Sequence, residues 1–153
     1  AFARRQVLGV YSDELVDVIA DVLLQLGALH AIVVHSRDGM DEISVSAKTH
    51  VAEVKDGKVK RYEVSPEDFG VGTHNAATIS GGDVRTNAHI AREILSGQPG
   101  AGHDVVVANA GAALYVAGEA RTMREGATMA RAAIMDGRAM QKLQDLIEET
   151  RKQ

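Results

Sequence analysis

Leu29-His30-Ala31-Ile32-Val33-Val34-His35 is the run whose reading decides the fold. It is β-branched at its centre and closed by the turn-rich stretch Ser36-Arg37-Asp38-Gly39, which makes it a buried strand. Gly27 stands just before it as a helix stop. Upstream of that glycine, Leu15, Ile19, Val22, Leu23 and Leu26 recur at i, i+4, i+7, i+8 and i+11, one apolar helical face. Ser12 is placed to cap this helix. Asp13 and Glu14 follow in its first turn, where the helix dipole favours acids. Gln6 to Val10 is a further short apolar run and reads as another strand. Strand, helix and strand within about 30 residues form a βαβ unit, whose strands pair in parallel through a right-handed crossover.

The pattern then changes. Ser36 to Glu42 is a loop, and Thr49–Lys55 and Lys58–Val64 flank Asp56-Gly57, a strong β-hairpin signal. Ser65-Pro66-Glu67-Asp68 has a cap, a proline at the first helical position and an acid placed to close a capping box. Phe69-Gly70 cuts that turn short, and Val71 to Gly82 is a loop rich in small polar residues. From Asp83 onward the chain reads as helical. One helix runs to about Leu95, a second spans Asp104 to Ala117, a third follows the Thr122 capping box to near Gly137, and a fourth starts at Arg138.

Composition narrows the function. The 153 residues suffice for one domain that buries roughly 70% of its unfolded surface. The absence of cysteine removes disulfides, thiolate metal sites and cysteine nucleophiles, and suits a reducing, cytoplasmic location. A formal net charge of −4, 3% aromatic residues and no tryptophan argue against a phosphate-backbone or base-stacking nucleic-acid binder. No apolar run approaches the length of a membrane span. The chain opens on Ala1 inside what reads as an ordered region, so it is expected to be a piece of something longer.

The loop after the second strand carries the most chemistry. In an open α/β sheet, ligands bind beyond the carboxyl ends of strands. Asp38, Asp41 and Glu42 gather there, with Gly39 to let the backbone turn. Neighbouring carboxylates repel one another unless a cation sits between them. Mg²⁺, held by one or two carboxylates with waters and substrate phosphates, is the natural candidate. The competing reading is that Asp41 and Glu42 simply face solvent. Ser80-Gly81-Gly82-Asp83 before a helix resembles a phosphate cradle, but Asp83 as cap would take the free amides and repel an anion. None of the six histidines forms a helical zinc motif; His35 ends a strand beside the acidic loop within reach of a substrate, and the favoured reading is a hydrogen-bonded strand-end residue. Asn109, inside an apolar helix, reads as a tertiary hydrogen-bond clamp, whereas Arg4 and Arg5 offer nothing beyond solvation.

Val33-Val34-His35-Ser36-Arg37-Asp38-Gly39-Met40-Asp41-Glu42-Ile43-Ser44 resembles the signature of the anthranilate phosphoribosyltransferase family. Further stretches resemble the family in the same order: Gln6 to Leu15, Thr49 to Glu53, Pro66 to Gly70, Gly81-Gly82-Asp83 with Asn87-Ala88, and Asn109 to Gly118. The likeness spans essentially the whole chain. It implies the α/β class, specifically part of the larger α/β domain of a nucleoside phosphorylase/phosphoribosyltransferase-type fold, with a parallel sheet core, a β-hairpin and C-terminal helices. It further implies transfer of the phosphoribosyl group of 5-phosphoribosyl 1-diphosphate to the amine of anthranilate, releasing pyrophosphate, in tryptophan biosynthesis. Under this resemblance Asp41 and Glu42 are the Mg²⁺ ligands, and the whole protein is a homodimer with no nucleic-acid or membrane partner.

The departures from the family pattern are specific. The Gly-rich diphosphate loop, the Lys-His-Gly-Asn segment and the anthranilate-binding arginine do not occur in this sequence. Residues 1–153 are therefore expected to form the C-terminal part of the α/β domain, without the N-terminal helical domain, and to be inactive alone. A non-catalytic nucleic-acid-binding homologue on the same fold and a plain interaction domain remain the alternatives.

Overall fold

The computed structural model describes residues 3–152. Four strands form one sheet in the order β1 (Arg5–Gly9), β2 (His30–Ser36), β3 (Thr49–Lys55), β4 (Lys58–Val64). β1 and β2 pair in parallel, joined through helix α1 (Asp13–Gln25), as the βαβ pattern requires. β2–β3 and β3–β4 are antiparallel, so the sheet as a whole is mixed and the parallel pairing lies at its β1 side. The hairpin turns at Asp56-Gly57, both at positive φ, in register from Lys55 opposite Lys58.

β2 is apolar throughout because both of its faces are covered. Ala31 and Val33 point to α1 and pack with Val16, Ala20 and Leu23. Ile32 and Val34 point to the other side, where Val107, Ala108, Ala112 and Val116 of α3 (Ala101–Ala117) meet them. The period of two in the strand thus sorts its residues into two cores.

Helix α4 (Met123–Met135) lies against α3 through a glycine contact. A Cβ on Gly111 would stand 2.5 Å from the Ala127 amide nitrogen, and Gly126 faces the Gly111 backbone in turn. Only glycine permits this approach. Helix α2 (Val84–Leu95) buries none of its residues, and α5 (Arg138–Thr150) touches α4 and α2.

Local signals placed the boundaries closely. The Thr122 hydroxyl accepts from the Glu125 amide at 3.1 Å, and Ser65 and Asp68 close a reciprocal capping box around a short 3-10 turn, Pro66–Phe69. Three details differ. Ser12 occupies the cap position of α1 without a side-chain bond to the helix. The Glu125 carboxylate reaches the Arg121 amide at 2.8 Å rather than that of Thr122. α3 begins at Ala101, three residues before the expected Asp104, because Gly100 at φ 153° serves as its cap. Among the described residues no helix is long and apolar enough to cross a membrane.

Candidate active site

The loop between β2 and β3 stands at the carboxyl end of the parallel pair. Its outgoing limb turns tightly: Gly39 takes φ 93°, its amide donates to the Ser36 carbonyl, and the Ser36 amide donates to the Met40 carbonyl. Three contacts then pin the loop to the body of the fold. Gly9, at the end of β1, lies so close to the Asp41 carbonyl that no Cβ fits between them. Asn109 of α3 accepts from the Ile43 amide at 3.0 Å and donates to the Ile43 carbonyl at 2.9 Å and to the Val105 carbonyl at 3.0 Å. Asn109 is therefore the clamp its apolar surroundings foretold. Third, Arg37 bridges Asp13 of α1 at 3.1 Å and Glu63 of β4 at 3.0 Å. Its partner Asp13 also takes a bond from His50, which chiefly holds that carboxyl below its usual range.

The three carboxylates gathered by the sequence divide into two kinds. Asp38 is engaged by its own loop: its Oδ2 accepts from Ser44 Oγ at 2.6 Å and from Ser46 Oγ. Burial pushes its carboxyl up, but bonds from Ser44 and Ser46, with help from Ser36 and the Met40 amide, outweigh that and hold it at about 2. Asp41 and Glu42 are exposed, and neither carboxylate has a hydrogen-bond or ion-pair partner among the described residues. Two hard oxygen donors held side by side on a pinned backbone suit Mg²⁺, which takes one or two carboxylates and fills its other positions with water and phosphate oxygens. Among the described residues no group of three or more His, Cys, Asp or Glu is arranged to hold a metal.

The remaining sequence candidates fall out as structural. His35 Nδ1 bonds the Val10 carbonyl at 2.8 Å, fixing the end of β2. In the Gly81-Gly82 turn, the Gly82 amide donates to Asn87 at 2.8 Å and Asp83 caps the Thr86 amide at 2.8 Å, so these two amides face no anion. Arg5 is more than a solvated charge. Its guanidinium donates to the Val116 carbonyl at 2.7 Å and ties β1 to the end of α3.

Two clusters escaped the sequence reading. Asp104 accepts from His74 at 2.8 Å and lies 3.1 Å from His103 Nδ1. Burial raises the Asp104 carboxyl, but the two histidines hold it below its usual range. Glu53 is buried and takes bonds from His30 at 2.8 Å, Tyr115 at 2.7 Å and Tyr62 at 2.9 Å. Its signal was present in β3: alternation puts Glu53 on the same inward face as Val51. A groove of about 570 Å³ also runs between α2 and α3, lined by Ile90, Ile94, Val105 and Val106. It is apolar and does not include the acidic loop.

Known proteins resemble this chain over nearly its whole length. A family model described as "Glycosyl transferase family, a/b domain" matches residues 1–140. The chain is 49% identical over 150 residues to the anthranilate phosphoribosyltransferase of Anaeromyxobacter sp. (strain K), covering 98% of this chain and 44% of the relative. It is 48% identical over 153 residues to that of Rubrobacter xylanophilus, covering 99% and 45%. Among solved structures, the Thermus thermophilus anthranilate phosphoribosyltransferase superposes with TM-score 0.81 at 34% identity, over 90% of this chain and 40% of that one. The Saccharomyces cerevisiae enzyme, solved in complex with PRPP and Mg, gives TM-score 0.85 at 25% identity, over 97% and 43%. The chain thus spans less than half the length of these relatives. With a family model matched over residues 1–140, the chain belongs to the glycosyl transferase family defined by this a/b domain, and its similarity within that family is to anthranilate phosphoribosyltransferases.

Proposed function

We propose that this chain is the C-terminal part of a protein that moves the phosphoribosyl group of 5-phosphoribosyl 1-diphosphate onto the amine of anthranilate, with Asp41 and Glu42 holding Mg²⁺. One observation carries the reading: two adjacent, exposed carboxylates without partners among the described residues stand on a loop that is otherwise bonded at nearly every turn. Bound there, Mg²⁺ supplies charge neutralisation for the departing diphosphate. Asp41 and Glu42 offer it oxygen ligands without breaking any protein bond. Gly9 at the Asp41 carbonyl and Asn109 at Ile43 hold the backbone at the pair and just after it, so little reorganisation is needed when substrate arrives. A cytoplasmic homodimer belongs to the same reading, and light scattering on the full-length protein reads the dimer.

The test is Asp41→Asn with Glu42→Gln in the full-length protein, assayed by product fluorescence at saturating Mg²⁺ alongside thermal melting. Turnover is expected to fall by orders of magnitude with the melting temperature preserved; near-normal turnover removes the pair from the mechanism. The 153-residue chain alone is expected to form no phosphoribosylanthranilate, because the family's diphosphate loop and anthranilate segment are not in this sequence. Activity on mixing with a separately expressed upstream segment supports the assignment, and activity without it refutes the inactive-fragment reading.

A further inference from the structure

We infer that Asp38 is the positioning residue of the acidic loop: its carboxylate, bonded to Ser44 and Ser46 across the base of the loop, sets where Asp41 and Glu42 stand and thereby how well the pair holds a divalent cation. The inference rests on the metal reading proposed above and concerns a residue that does not itself touch the cation.

The geometry separates Asp38 from its neighbours. Asp38 sits on the outgoing limb, and Ser44 and Ser46 sit on the returning limb, so each bond to Oδ2 closes the loop with Asp41 and Glu42 at its crown. The serines are themselves fixed. The Ser44 amide donates to Thr49 Oγ1 at 3.1 Å, and the Ser46 amide donates to Ser44 Oγ at 2.9 Å. Ser44 is buried, so its hydroxyl has no solvent to turn to if Asp38 is lost. The Met40 amide adds a weak bond to Oδ1 at 3.4 Å on the approach to the pair. Asp38 therefore directs its acceptors to the protein, whereas the Asp41 and Glu42 carboxylates meet no partner among the described residues. Gly9 and Asn109 pin the backbone of residues 41 and 43, but neither joins the two limbs. Ser36 Oγ joins the limbs at the mouth of the loop through the Lys48 carbonyl at 3.3 Å, and the Asp38 carboxylate with the Ser44 and Ser46 hydroxyls ties them nearer the pair.

Outer partners of this kind act on a metal through the ligands they orient, and their loss commonly costs about 10–100-fold in metal affinity or activity. In the full-length protein, Asp38→Ala is expected to raise the Mg²⁺ concentration for half-maximal turnover by about 10–100-fold. In the metal-free protein, amide hydrogen exchange across residues 39–46 should quicken in the same variant. Leu23→Ala, which opens a gap in the core between α1 and the sheet at the end of β2 opposite the loop, serves as the control for mere loss of stability. It is expected to lower the melting temperature and leave both the Mg²⁺ requirement and the loop exchange as in the parent. Asp38→Ala with a parental Mg²⁺ requirement and parental loop exchange overturns the inference. If Asp38→Ala does not fold, Ser46→Ala removes one of the two ties and must shift both readouts in the same direction; no shift overturns the inference equally. Normal turnover of the Asp41→Asn/Glu42→Gln protein is the separate failure of the metal reading, and it takes this inference with it whatever Asp38→Ala does.

Discussion

Glu53 and the Asp41–Glu42 pair lie toward opposite ends of the same two strands and are treated in opposite ways. Both Glu53 oxygens are occupied, by His30, Tyr115 and Tyr62, and the His30 ring stands edge-on to Tyr115 at 4.8 Å. Burial pushes the Glu53 carboxyl up, yet the bonds from Tyr115, His30 and Tyr62 bring it below its ordinary range. Burial and the Glu53 charge in turn push the Tyr62 hydroxyl up, so it stays a donor. Asp41 and Glu42 keep their water and have no protein partners among the described residues. A buried carboxylate must be satisfied by the protein, because an unpaired charge in the interior costs several kcal/mol. A pair left unsatisfied at the surface costs little and stays available for a cation. The same residue types thus hold the fold at one end of the sheet and carry the proposed chemistry at the other.

The largest expected effect falls on the loop. Asp41→Asn/Glu42→Gln should lose turnover by orders of magnitude while melting like the parent protein, and the comparison fails if the melting temperature falls with the activity. Glu53→Ala should do the reverse. It strands three donors in the interior and is expected to cost about 3 kcal/mol of stability in denaturant titration, with turnover per folded molecule retained.

Gly9→Ala tests the join between the two regions. A methyl group there has no room beside the Asp41 carbonyl, so strand or loop must shift, at about 1–3 kcal/mol. Turnover should fall as well, because the group displaced is the backbone of a proposed ligand. Leu23→Ala, which opens a gap in the core between α1 and the sheet, should cost about 2–5 kcal/mol of stability with turnover kept. Equal activity in the two variants would separate Gly9 from the site.

The smallest effect is on acid stability. The folded-state carboxyl of Asp38 lies below its ordinary value, so the unfolded chain takes up its proton first. The stabilisation is complete above the ordinary 3.8 and is lost as pH falls toward about 2. Glu53 and Asp104 shift in the same direction and add to the same limb. Asp38→Asn should therefore flatten melting temperature against pH below 3.8 and leave the slope at neutral pH unchanged.

Most of the element map, and the loop that carries the pair, were legible in the residues. Asp56-Gly57 placed the hairpin with the bounds found, and Gly27, Thr122 and Ser65-Pro66 marked ends that the chain respects. Asn109 declared itself as a polar residue on an apolar helix. The three carboxylates after β2 were visible as a group, but their division was not. Nothing in Asp38-Gly39-Met40-Asp41-Glu42 says which acid turns inward to serines six and eight positions on.

The sequence by itself determined the βαβ start, the hairpin, the helical C-terminal half and the place of the acidic loop. Those features rest on short-range rules: side-chain period, glycine at positive φ, and caps that act within one turn. Only the tertiary structure decided that Arg5 bonds Val116, 111 residues away, that Glu53 joins His30, Tyr62 and Tyr115, and that Gly9 meets Asp41. Such contacts depend on how the sheet and α3 pack. A charged or polar group taken from water must then find its partner among whatever residues that packing brings within about 3 Å.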